Sequence, residues 1–117
     1  MLSLTAGMRY KYCEGNVSFR YKWDAMTNYI RYVLHEDPWS GIVFVFMNRR
    51  HNQLRVFYYE RGGFVISEKR LDRQYRFLTP RFDTKKQTCS ICWADLVSLI
   101  EDKQIRRFYL REAAQGD

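Results

Sequence analysis

The chain has 117 residues, 46% of them hydrophobic and 17% aromatic, and its 20 lysines and arginines against 13 aspartates and glutamates leave a net charge of +7. That composition excludes a disordered chain, fits one domain able to bury a core without disulfides or metals, and favours an acidic partner such as nucleic acid or an acidic protein face. No apolar run approaches the ~18 residues of a membrane span, and the opening Met1-Leu2-Ser3-Leu4-Thr5 lacks the charged start of a secretion signal. The expected compartment is therefore the cytoplasm, with no membrane contact, and Cys13, Cys89 and Cys92, odd in number and without framework spacing, read as reduced thiols.

In chain order, Met8 to Tyr12 alternate weakly and predict a short first strand, broken at Gly15-Asn16. From Phe19 the period becomes helical. Phe19, Trp23, Met26, Ile30, Val33 and Leu34 form one apolar stripe, Ser18 stands as N-cap, and His35-Glu36-Asp37-Pro38 stops the helix because the residue before proline avoids helical geometry. Ile42 to Met47 is apolar throughout, as in a strand covered on both faces or covered on one and shielded by aromatics on the other. After the polar turn Asn48–Gln53, Leu54, Val56 and Tyr58 alternate with Arg55, Phe57 and Tyr59 in a second strand. Gly62-Gly63 marks a tight turn into a third strand, Phe64–Arg70, and Tyr75–Leu78 adds a fourth. Arg81–Thr88 reads as a basic loop. A second helix follows, with Trp93, Leu96, Val97 and Ile100 on one face. Lys103–Leu110 is a last strand or a docked tail. The expected fold is α+β: an antiparallel meander of about four to five strands with two amphipathic helices on one of its faces, packed through the Trp23 and Trp93 stripes. One domain spans 1–112, and 113–117 should fray.

The basic residues are the main functional candidates. In a meander, the end of the first strand, the start of the second and the end of the third lie at one end of the sheet. Arg49 and Arg50 at a hairpin tip, Arg55 beside them, Lys69 and Arg70 at a strand end, and Arg73 and Arg76 beyond can therefore converge. Arginine suits phosphate because its planar fork donates two parallel hydrogen bonds. The competing interpretation is a set of solvated charges that guard sheet edges. The interleaved Phe57, Tyr58, Tyr59, Phe64, Tyr75 and Phe77 are either a stacking surface for unpaired bases or, with greater weight, the core beneath a helix.

Other chemistries lack a pattern. Cys89-Ser90-Ile91-Cys92 has CxxC spacing, but Cys13, His35 and His51 are too scattered to complete a zinc site. Asp24, Glu36, Asp37, Glu60, Glu68, Asp72 and Asp95 are dispersed, and there is no phosphate-binding glycine loop or nucleophile elbow. The expectation is a chain without catalytic residues, metal or cofactor.

One run is specific. Asp37-Pro38-Trp39-Ser40-Gly41 leads into Ile42-Val43-Phe44-Val45-Phe46-Met47-Asn48-Arg49-Arg50, followed by Gly62-Gly63-Phe64-Val65-Ile66-Ser67-Glu68-Lys69-Arg70-Leu71. In order and wording it resembles the TnpB-type, second-reading-frame accessory proteins of the bacterial insertion-sequence family sixty-six. The resemblance extends from about Phe19 to Ile105. It implies a non-catalytic helper of transposition, encoded beside a separate transposase that carries the cutting and joining chemistry. The chain departs from the family near its first helix. A stretch like DMRKGFDGL is replaced by Ser18-Phe19-Arg20-Tyr21-Lys22-Trp23-Asp24-Ala25-Met26, keeping Arg20 and Asp24 four residues apart, the spacing of a helical ion pair. Taken together, the reading is a helper that binds element DNA, the transposase, or both, through Arg49, Arg50, Arg55, Lys69, Arg70 and Arg73. Its rival is a protein-binding adaptor that makes no DNA contact.

Overall fold

Apolar alternation on both sides of the central strands sets the architecture. The computed structural model describes residues 4–15, 17–78 and 87–105. Its main sheet has five strands in the order β4-β3-β2-β1-β6, where β1 is Tyr10–Cys13, β2 Val43–Met47, β3 Gln53–Glu60, β4 Gly63–Arg70 and β6 Thr88–Ile91. A short antiparallel pair, β5 (Tyr75–Phe77) with β7 (Lys103–Ile105), forms a second sheet, so the expected fourth strand pairs outside the meander.

The meander β2-β3-β4 is as the alternation predicts, with Val45 opposite Val56 and Val56 opposite Ser67. The β3–β4 turn is Arg61-Gly62, both at positive φ (48° and 83°), the mirror-image turn whose twist matches a tight hairpin. Gly63 already belongs to β4 and closes the ladder opposite Glu60. Two features go beyond a simple meander. β1 runs parallel to β2, and Thr88–Ile91, where only a loop ending at Thr88 and the approach to the second helix were expected, forms the strand β6 antiparallel to β1.

The helices lie on opposite faces of the sheet, not on one. α2 (Trp93–Glu101) buries Leu96 and Leu99 against Tyr10, Tyr12, Val43, Val45, Leu54, Val56 and Tyr58. On the other face, Met26, Ile30 and Leu34 pack on Phe44, Phe46 and Phe57. β2 is covered on both sides, which explains why it is apolar at every position. The first helix begins later than its periodicity predicts. α1 is Trp23–Asn28 and continues as a π-helical turn, Tyr29–Val33. The wider turn and late start leave Met26, Ile30 and Leu34 inward while Trp23 is 50% exposed, so the stripe packs on the sheet through those three residues and not through Trp23. Trp93 does pack, tilted against Tyr10 at 5.8 Å. Ser18 does not cap α1; its hydroxyl accepts the Arg20 N–H at 3.2 Å in the preceding turn. Arg20 and Asp24 form no ion pair. The expected frayed tail, 113–117, lies outside the described residues, as does most of the expected basic loop. No helix among the described residues is long and apolar enough to cross a membrane.

Candidate functional site

The β2–β3 turn, Asn48–Asn52, is built around one side chain. Asn48 Oδ1 accepts the backbone N–H groups of Asn52 and Gln53 at 3.0 Å each, and its Nδ2 donates to Asn52 Oδ1 at 2.5 Å. This internal cap fixes a turn whose residue His51 sits at φ 58°. The chain after β4 is then tied to the turn: the Leu71 N–H donates to the Asn52 carbonyl at 2.8 Å, and the Phe77 N–H to the His51 carbonyl at 2.7 Å. Burial, reinforced by the nearby positive charge of Arg76 and opposed by Glu14, pushes the His51 imidazole below its ordinary pKa, favouring the neutral form.

Beside this turn opens a cleft of about 430 Å³. Arg49, Arg50 and Arg70 line it with Asn48, Asn52 and Gln53, and Val17 and Phe19 form an apolar side. None of its lining residues among the described ones is acidic. All three arginines are exposed, and neither ion pair among the described residues involves them; those pairs are Lys11–Glu36 at 2.8 Å and Arg55–Glu68 at 3.1 Å. Three exposed guanidinium groups around one concavity, without an ion pair among the described residues, present donors of the kind that anions accept.

The other expected contacts separate from this set. Arg55 does not reach the surface: its exposure is 0%. Its Nε donates to Glu68 Oε2 at 3.1 Å, Nη1 to the Tyr21 carbonyl at 2.7 Å and Nη2 to the Phe19 carbonyl at 2.6 Å, and its guanidinium lies 4.8 Å from the Phe19 ring centroid. Arg55 thus anchors the loop that forms the apolar wall of the cleft. Lys69 points to the opposite sheet face from Arg70, as adjacent strand residues must. Its Nζ donates to the Ile100 carbonyl in the last turn of α2 at 2.9 Å, where a cation offsets the unpaired carbonyls of a helix end. Arg73 is exposed in the turn closed by the Tyr75 N–H to the Asp72 carbonyl, at 2.9 Å.

Among the aromatics, Phe57, Tyr58 and Phe77 are buried and serve the core, while Tyr59, Phe64 and Tyr75 are partly covered. Sequence reasoning missed Val17, Phe19, Asn52 and Gln53 as cleft residues. The pairing of Asn48 with Asn52 around a five-residue turn was the available signal. A second exposed cluster lies on the π-helical turn. The Arg31 guanidinium sits 5.1 Å from the Tyr32 ring centroid and 5.4 Å from that of Trp39, with Tyr32 63% and Trp39 46% exposed. No three His, Cys, Asp or Glu gather to hold a metal among the described residues.

Comparison with known proteins gives one broad match. The family model described as IS66 Orf2-like protein matches residues 8–109. An uncharacterized protein, y4jC of Sinorhizobium fredii (strain NBRC 101917 / NGR234), is 29% identical over 72 residues, and the match spans 62% of this chain and 62% of that protein. No solved structure matches.

Proposed function

The chain belongs to the IS66 Orf2-like family, the accessory proteins of transposition, and from that premise we propose that it contacts the DNA of its element through the cleft at the β2–β3 tip. The observation that carries the reading is the set of three arginines, Arg49, Arg50 and Arg70, around one concavity with no acidic residue among its described lining residues. Each arginine on a phosphate releases condensed counterions, so binding should weaken steeply with salt. Arg73, exposed in the turn just beyond β4, is a further candidate for the contact. Arg55 and Lys69 contribute indirectly, by fixing the cleft wall and the end of α2. In this reading the protein breaks and makes no bonds itself; a separate transposase does so.

The test is affinity against salt concentration for duplex DNA. The double variant Arg49→Ala with Arg50→Ala should bind more weakly, and its salt slope should fall by about one unit for each phosphate that is no longer neutralised. Unchanged affinity and slope in the folded variant would remove the cleft from the DNA contact. The second reading, an adaptor that grips the transposase, is favoured by the Arg31–Tyr32–Trp39 cluster, since Arg, Tyr and Trp dominate the centres of protein interfaces. It predicts no DNA binding at low salt and a transposase complex abolished by Tyr32→Ala with Trp39→Ala.

A further inference from the structure

We infer that the cleft at the hairpin tip accepts an unpaired DNA nucleotide, its base against Phe19 and its phosphates on Arg49, Arg50 and Arg70. This rests on the DNA reading above and narrows it from DNA in general to single strand. Three features of the cleft carry the inference.

The first is shape. A volume of about 430 Å³ in an open cleft has room for one nucleotide unit. A duplex can set its phosphates on the arginines but keeps its bases stacked and out of reach of Phe19. The second is the composition of the lining. Its guanidinium groups share it with the apolar side chains of Val17, which is buried, and Phe19, which is partly exposed. A duplex offers such a lining mainly phosphates and sugars, whereas an unpaired nucleotide offers a charged end and an open π-face together. Phe19 is also held in place before any ligand arrives. Its backbone carbonyl accepts Arg55 Nη2 at 2.6 Å, and the same guanidinium lies 4.8 Å from its ring centroid. A ring so fixed loses little conformational freedom on stacking.

The third feature is the polar side chains in the same lining. The Asn48 side chain is consumed by the turn, but Asn52 Nδ2 and the whole Gln53 side-chain amide have no hydrogen-bond partner among the described residues. They can bond to a base edge without breaking anything. Because every base has a π-face, the preference among sequences should be modest.

The experiment measures fluorescence anisotropy of three labelled DNAs with the full chain: an oligothymidylate, the same strand annealed to its complement, and a strand with equal phosphates but abasic sites. The expected result is single strand tighter than duplex by about 10-fold, and tighter than the abasic strand by about 5-fold or more. Phe19→Leu should lower affinity for oligothymidylate alone, and Phe19→Tyr should retain it. Equal binding of the oligothymidylate and abasic strands by wild type would overturn the inference, whether or not Phe19→Leu folds. If that equality came with duplex binding that the Arg49→Ala, Arg50→Ala variant loses, the DNA reading would stand and the single-strand inference would fail. Absence of binding to all three DNAs at low salt would overturn both.

Discussion

Arg55 shows how a charged side chain can be structural and still govern a site. Its three donor groups meet a carboxylate and two loop carbonyls, so removing it leaves the Phe19 and Tyr21 carbonyls without their partner and opens a cavity. Arg55→Ala should destabilise the fold by about 3 kcal/mol in urea denaturation, whereas Arg49→Ala, exposed and without an ion pair among the described residues, should stay within about 0.5 kcal/mol of wild type. Arg55→Lys keeps the charge but not the fork, and should remain less stable than wild type. His51 yields a pH prediction. Its folded pKa lies below the ordinary value near 6.5, so the folded state binds the proton less readily than the unfolded chain. The associated stability is present above the unfolded pKa and is lost as pH falls through that value toward the folded one. The thermal stability of wild type should therefore drop as pH falls from above the ordinary value near 6.5 to below it. His51→Asn, which tolerates the positive φ, should flatten that drop; an equal drop in the variant would assign it to other groups.

At the scale of elements, the two helices divide their tryptophans unequally. Trp93 packs against Tyr10 and the α2 face of the sheet, while Trp23 stands half in solvent. Trp93→Ala should cost about 2–3 kcal/mol by denaturant titration and Trp23→Ala less than about 0.5 kcal/mol; equal costs would mean that α1 docks differently. The meander was legible in the sequence because Leu54 to Tyr59 alternate and a glycine stands where a tight turn needs positive φ. The side on which each helix lies was not, since an apolar stripe specifies burial but not which sheet face receives it. The same ambiguity hid Arg55. Alternation put it on one face with Phe57 and Tyr59, and a strand buried on both sides carries no mark to separate solvent from core. β6 was illegible for another reason: Thr-Cys-Ser-Ile is too short for a periodic signal, and its strand character comes from pairing with β1. Within the candidate site, hairpin logic brought Arg49, Arg50 and Arg70 together, while the wall formed by Val17 and Phe19 depended on a loop placed by tertiary contacts alone.

For the molecule as a whole, the charge is unevenly answered. Among the described residues two ion pairs use Lys11 and Arg55, and the exposed tip arginines have none. The exposed positive charge of the tip is thus left uncompensated at one end of the sheet, where it can steer an anionic partner. The parallel pairing of β1 with β2 has a different consequence, for the order in which the chain assembles. β2, β3 and β4 are joined by short turns and can pair as soon as they are made. β1 must wait for residues 14–42 to close behind it, and β6 joins the main sheet only through β1. Contacts that need long closures form late. β1, which leaves the ribosome before the other strands of its sheet, is thereby among the last of them to find its place, and β6 can lock only after it. Amide hydrogen exchange should record this hierarchy: β2 and β3 should be the slowest to exchange, and β1 and β6 should open together at lower free energy. Protection of β6 that survives the opening of β1 would show that the late half of the sheet assembles by another route.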